Sequence, residues 1–115
     1  MPALGTILST KIIFPRTTIT ATPGATVTLT VVSGEDHIAA WTAGQNESVV
    51  ISGSHVLGQQ LVCLIANDAT LPRTITFSTG FLSLGTIIGT TSKTASIKFV
   101  SNGTNFIEIS RTLGL

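Results

Sequence analysis

Alternation of apolar and polar residues recurs along the chain and predicts strands wherever it appears. In Thr26-Val-Thr-Leu-Thr-Val31 the residues Val27, Leu29 and Val31 fall on one face of an extended segment and Thr26, Thr28 and Thr30 on the other. Residues 6–14 alternate in the same way, with Thr6, Leu8, Thr10, Ile12 and Phe14 sharing a face. Further strand-like runs cover residues 16–21, 38–41, 48–52, 60–66, 74–77, 94–100 and 105–111, with a short pair around Gly85 within residues 81–88.

Turn residues separate these runs. Pro23-Gly24 ends the first, and Asn67-Asp-Ala-Thr-Leu-Pro-Arg73 predicts a hairpin between the strands on either side of it. Asn102-Gly103 is the preferred pair where both turn residues need positive φ, which makes the last two strands a hairpin. Pro15 lacks an amide hydrogen, so a bend or a sheet edge is expected there. Glu35-Asp-His37 and Gly53-Ser-His-Val-Leu-Gly58 read as polar loops. The result is an all-β chain of about eight to ten short strands, an antiparallel β-sandwich (jelly-roll-like) or a small barrel. Residues 1–115 form a single domain, with residues 1–6 as a candidate arm.

Composition changes this picture in one respect. Hydrophobic residues make up 43% of the chain and charged residues only 10%, against about a quarter charged in ordinary globular domains. Every apolar run is too short to cross a membrane. Threonine is the most frequent residue, and with Val and Ile it favours pleated, half-buried surfaces. So little charge on a compact β chain implies a surface covered by partners. The net charge of +1 comes from cations scattered singly, so nucleic acid is not an expected partner.

Candidate chemistry is sparse. Cys63 is the only cysteine, which excludes an intrachain disulfide, and its apolar setting predicts a buried thiol. His37 and His55 are the only histidines, and the carboxylates Glu35, Asp36, Glu47 and Asp68 show no metal-ligand spacing beside them. Ser54 and His55 are adjacent and therefore point to opposite sides of an extended chain, which does not make a nucleophile–base pair. Gly85-Thr-Ile-Ile-Gly-Thr-Thr-Ser-Lys-Thr94 lacks the spacing and the following helix of a phosphate loop. Ion pairs are expected between Asp68 and Arg73 and between Lys98 and Glu108, while His55 is expected to be a solvated loop residue or an interface contact. Trp41 is expected in the core or at an interface rather than as a sugar platform. No catalytic residue, metal or cofactor is expected.

The second half of the chain carries a resemblance. An apolar strand from Ser48 is followed by Leu61-Val-Cys-Leu-Ile-Ala-Asn-Asp68, Arg73-Thr-Ile-Thr-Phe77, Gly85-Thr-Ile-Ile-Gly-Thr90, Ser92-Lys-Thr94 and Phe99-Val-Ser-Asn-Gly-Thr-Asn-Phe106, with Glu108 and Arg111-Thr112. About the last sixty residues resemble the small all-β module at the ends of tailed-bacteriophage fibre, head-fibre and capsid-decoration proteins. Members of that family often carry Asp where Asn102 stands and Trp where Phe106 stands. The resemblance implies a structural module, commonly trimeric, with no catalytic residues to carry over.

Together these readings lead to a structural virion protein: a homotrimeric capsid decoration (cement) protein, made in the host cytoplasm, that binds the major capsid protein on the capsid exterior. A receptor- or glycan-binding tip module of a head fibre or tail fibre is the alternative, and a homopolymeric subunit comes third. Ala3, Leu4, Trp41, Leu113 and Leu115 are the candidate assembly contacts.

Overall fold

A computed structural model of the chain describes residues 14–115. Ala3, Leu4, the candidate arm and nearly all of the alternating segment 6–14 lie outside the described residues. Ten strands follow in order: β1 Arg16–Thr20, β2 Thr26–Val31, β3 Asp36–Ala43, β4 Glu47–Gly53, β5 Gln60–Asn67, β6 Thr74–Phe77, β7 Phe81–Leu82, β8 Ile87–Ile88, β9 Thr94–Ser101 and β10 Phe106–Thr112. No helix occurs among the described residues. The larger sheet has the order β1-β3-β5-β9-β10-β7 and the smaller one β2-β4-β6-β8.

Strand direction corrects the antiparallel expectation. The first six strands alternate between the sheets, and within each sheet they pair in parallel, β1 with β3 and β3 with β5, β2 with β4 and β4 with β6. This is a solenoid-like stacking of coils. Each connection is a corner that carries the chain from one sheet to the other, so Asn67 to Arg73 joins β5 to β6 across the sheets and is not a hairpin. Parallel and antiparallel strands share the same period of two, so alternation places the strands without fixing their direction. Coil lengths also differ: Arg16 lies opposite Asp36, but His37 lies opposite Leu61, so no fixed repeat shows in the sequence.

After β6 the pairing is antiparallel except at β7, which lies parallel to β10. β9 pairs with β5 on one side and β10 on the other, and β8 pairs with β6. The β9–β10 hairpin forms where Asn102-Gly103 predicts it, although only Gly103 takes positive φ (95°). Asn102 instead closes the turn with its side chain, accepting from the amides of Thr104 and Asn105 at 2.9 and 2.7 Å. The C-terminus is tied down too, because Leu115 and Thr94 exchange two backbone hydrogen bonds of 2.9 Å.

One core lies between the sheets. Val27, Leu29 and Val31 of β2 are buried and the threonines between them exposed, as alternation requires. In the larger sheet the register sets Ile19, Ala39, Cys63 and Ile97 side by side across four strands, all buried. Phe77, Phe81 and Phe99 form a cluster with ring centroids 4.8–5.0 Å apart, a geometry that adds about 0.5–1.5 kcal/mol per pair beyond burial. Edge strands β7 and β8 are only two residues long.

Glycine is required where β4 ends. Gly53 has φ 88° and lies opposite Val31, and a Cβ there would stand 2.2 Å from the Val31 carbonyl oxygen. Gly103 also has positive φ, but a Cβ there meets nothing within 4 Å. Gly103→Ala is therefore expected to lower stability by about 1 kcal/mol, the cost of the backbone conformation alone. Gly53→Ala is expected to lose at least about 3 kcal/mol, since strain and overlap combine. Urea unfolding of both variants checks the difference; equal losses would contradict the close approach at Gly53.

Candidate functional site

Buried polar side chains of this fold hold its corners. His37, expected in a loop, is a buried residue of β3. Its Nε2 accepts the Val32 amide hydrogen at 3.0 Å, so Nδ1 carries the ring hydrogen and donates to Thr17 Oγ1 at 2.7 Å, and Thr17 in turn donates to Glu35 Oε1 at 3.1 Å. Gln59 is fully buried and joins successive corners: its Oε1 accepts from the amides of Gly34 and Val56, and its Nε2 donates to the Val32 carbonyl. Asn67 holds the single corner after β5 together, donating to the Asp68 and Leu71 carbonyls and accepting from the Arg73 amide.

Carboxylates are used in the same way. Glu47 is buried at the start of β4, where Oε1 accepts the Trp41 indole hydrogen at 2.8 Å and Oε2 faces the Gly24 amide at 3.4 Å. Burial raises its pKa, opposed by the bonds from Trp41 and Gly24. Trp41 thus belongs to the core rather than to the outer surface. Asp68 and Arg73 form the expected ion pair at 2.7 Å, and the Arg73 guanidinium holds the Asp68 carboxyl below its ordinary range.

Glu108 does not meet Lys98. It lies opposite Phe99 and points inward, and a bulge at Ile109 shifts the following register so that Arg111 lies opposite Ile97 on the same inner side. The two side chains then pair, with Nε to Oε2 at 2.5 Å and Nη2 to Oε1 at 2.7 Å. Burial alone would raise the Glu108 pKa. The bonds from Arg111, the Leu84 amide and Ser83 outweigh it and hold the carboxyl below its ordinary range.

His55 is half-buried instead of solvated. Its ring stacks on Phe106 at 4.3 Å, and Nδ1 lies 2.5 Å from Ser101 Oγ. Burial lowers its pKa. This serine–histidine pair joins residues far apart in sequence, which the adjacent Ser54 concealed. Ser101 is buried and its oxygen also accepts the Gly103 amide hydrogen, so it locks the β9–β10 turn and offers no open nucleophile. Cys63 is fully buried and its thiol pKa is raised by burial. Among the described residues no group of three or more His, Cys, Asp and Glu converges.

The outer faces of the two sheets differ in chemistry. On the smaller sheet, Thr26, Thr28 and Thr30 of β2 lie beside Ser48, Val50 and Ser52 of β4, and Thr76 of β6 continues the row from Ser48. That face is hydroxyl-rich and free of charge. The larger sheet turns Ile38 and Ala40 of β3, Val62, Leu64 and Ala66 of β5, Val100 of β9, Ile107 of β10 and Leu82 of β7 outward. Cross-strand pairs Ile38–Val62 and Ala40–Leu64 make one aliphatic patch and Val100, Ile107 and Leu82 a second, on a face that also carries Arg16, Asp36, Gln60, Ser96 and Lys98. Leu82 is 52% exposed, and near it Leu84 and Ile88 are 72% and 65% exposed. The candidate contacts Leu113 and Leu115 are exposed at the C-terminus.

No protein-family model matches the chain, and no curated protein sequence matches it.

Two measurements test the buried carboxylates. Because the folded-state pKa of Glu47 is raised, its protonation supports the fold fully below the ordinary glutamate value near 4.3, and that contribution is lost as pH rises through the raised value. Emission of Trp41, the only tryptophan, is expected to titrate with a midpoint above that ordinary value and to lose the transition in Glu47→Gln. A wild-type midpoint at or below it would contradict the burial of Glu47. The Glu108 carboxylate acts with the opposite sign, supporting the fold above its ordinary value and losing that contribution as pH falls through the depressed one. Glu108→Ala is expected to cost about 2 kcal/mol at pH near 7, because Arg111 keeps only the Gly85 and Thr86 carbonyls and the Leu84 amide loses its acceptor, and distinctly less at pH near 3; urea titrations at both pH values read the difference.

Proposed function

We propose that the chain is a structural virion subunit, a homotrimeric decoration protein that binds the major capsid protein on the outside of a capsid and reinforces the shell without catalysis or cofactor. The observation that carries this reading is the pair of aliphatic patches on the outer face of the larger sheet, Ile38, Ala40, Val62 and Leu64 in one and Val100, Ile107 and Leu82 in the other. Clustered aliphatic side chains turned to water on a sheet face are the kind of surface that partners cover. Here it occurs on a chain with 10% charged residues. The polar groups that sequence alone offered as candidate chemistry are mostly committed to corners and turns, which favours a structural role.

Two sheets facing across one core also agree with the layered module that the resemblance of the last sixty residues implies, although the first coils run parallel. The mechanism is mass action. A protein that binds the assembled shell and not its dissociated subunits stabilises the shell by RT ln(1 + [L]/Kd), about 2.7 kcal/mol at a hundredfold excess over Kd.

Incubation with undecorated capsids followed by sedimentation is the direct test. Co-sedimentation that saturates at a fixed ratio to the major capsid protein, together with a higher shell melting temperature, is expected. Failure to co-sediment would overturn the decoration role, and retention on a glycan array in its place would establish the fibre-tip alternative.

A further inference from the structure

We infer that Asn102-Gly103 is a self-modification site: the fold prepares the Gly103 backbone nitrogen to attack the Asn102 side-chain amide, releasing ammonia and leaving a succinimide that water opens to aspartate or isoaspartate. All the groups involved meet at the β9–β10 turn, and water is the only other reactant. The chemistry is independent of whether the chain decorates a capsid.

Hydrogen bonds define the geometry. Gly103 donates its amide hydrogen to Ser101 Oγ at 2.9 Å, and Ser101 Oγ lies 2.5 Å from His55 Nδ1. An amide N–H can only donate, and among the described residues Ser101 Oγ has no other acceptor than Nδ1. The hydroxyl therefore gives its own hydrogen to Nδ1, and the ring hydrogen sits on Nε2. Both bonds in the row Gly103–Ser101–His55 run in one direction, and the row ends on a base. Beyond Gly103, Asn102 Oδ1 accepts the amides of Thr104 and Asn105 at 2.9 and 2.7 Å. Two backbone donors at that range on one carbonyl oxygen are what an oxyanion hole supplies. Asn102 and Gly103 are exposed, so ammonia can leave and water can enter.

The step balances within the turn. Gly103 N passes its hydrogen to Ser101 Oγ as Ser101 passes its own to His55 Nδ1, and the electron pair freed on the nitrogen forms a bond to Asn102 Cγ. Charge collects on Oδ1, between the Thr104 and Asn105 amides. The Cγ–Nδ2 bond then breaks; Nδ2 leaves as ammonia with its third hydrogen taken from water, and His55 returns its proton to water. Hydrolysis of the ring gives aspartate when the new N–Cγ bond reopens and isoaspartate when the original backbone bond does. Glycine suits the attacking position, because no side chain stands beside the nitrogen and a Cβ there would meet nothing within 4 Å, so no neighbour blocks ring closure. The other asparagines, Asn46, Asn67 and Asn105, precede Glu, Asp and Phe.

His55 is suited to receive the proton. The groups packed on its ring are Ser101 of β9 and Phe106 of β10, neither of them charged, and its pKa is lowered by burial rather than by a neighbouring charge. The imidazole is therefore neutral and able to accept at pH near 7. Modification replaces a neutral amide by a carboxylate at the tip of the hairpin. A sixth acid then balances the six cations, and the formal net charge of +1 is lost.

The experiment incubates the full chain at neutral pH and follows each asparagine by peptide mass spectrometry. Loss of one ammonia at Asn102, followed by a product a single mass unit heavier than the starting peptide, is expected, with Asn46 and Asn105 unchanged. The folded chain should react at least about tenfold faster than the same chain unfolded in guanidinium chloride, since general-base assistance is worth that much or more. An equal or slower folded rate would make Asn102-Gly103 an ordinary reactive pair and overturn the inference. His55→Asn, which sets a non-basic acceptor near the place of Nδ1, and Ser101→Ala should both fall to the unfolded rate with Trp41 emission unchanged. The relay also has a pH signature: the wild-type rate rises as His55 loses its proton and levels off above that titration, whereas the H55N rate climbs with hydroxide throughout. A folded H55N variant that reacts at the wild-type rate, or a wild-type profile that follows hydroxide alone, would equally overturn it. If H55N fails to fold, the wild-type profile still decides.

Discussion

Corners are the constraint on which the rest of this structure depends. A chain that passes from one sheet to the other after every strand must turn its backbone repeatedly, and each turn leaves amide and carbonyl groups outside the strand ladders. Away from water such groups cost about 1–3 kcal/mol each when unpaired. Gln59 and Asn67 supply the missing partners from inside the fold, and Glu108 does so for the Leu84 amide. No buried side-chain nitrogen or oxygen among the described residues lacks a partner. The parallel coils can stack because their corners are satisfied from within.

This accounts for how polar residues are spent. Most of the groups that could look like chemistry in the sequence are joined to a backbone amide or to each other: His37 to Val32 and Thr17, His55 to Ser101, Glu47 to Trp41. With those residues committed, the outer sheet faces are left mostly to threonine, serine and aliphatic side chains, with Arg16, Asp36 and Lys98 the charges on the larger sheet. Low charge and a corner-rich fold are thus two aspects of one economy of polar groups.

Much of the strand layout is legible in the sequence. Val27, Leu29 and Val31 alternate with threonines, and Asn102-Gly103 sits between two alternating runs, so β2 and the β9–β10 hairpin can be placed by inspection. Strand partners cannot, because a period of two is the same for parallel and antiparallel neighbours and the corner around Asn67 has the composition of a hairpin. Nor does any local signal show that Gln59 is buried while its neighbour Gln60 is not, or that Ile109 is a bulge that brings Glu108 and Arg111 to one side. The Ser101 partner of His55 is separated from it by 46 residues and appears only when β9 is folded beside the loop. The apolar outer face was foreshadowed by composition, but its position needed the register of β3, β5, β9 and β10.

The two-residue strands β7 and β8 have a consequence for the kind of assembly this molecule can enter. A stack of coils that ended in long strands would present a full row of open backbone groups in both sheets and invite another stack to continue it, which is how β proteins elongate into fibres. Here that end offers almost no ladder to extend. β7 covers β10 only at Phe106 and Ile107, so what remains open there is the bulged half of β10, whose irregular register is a poor template for another strand.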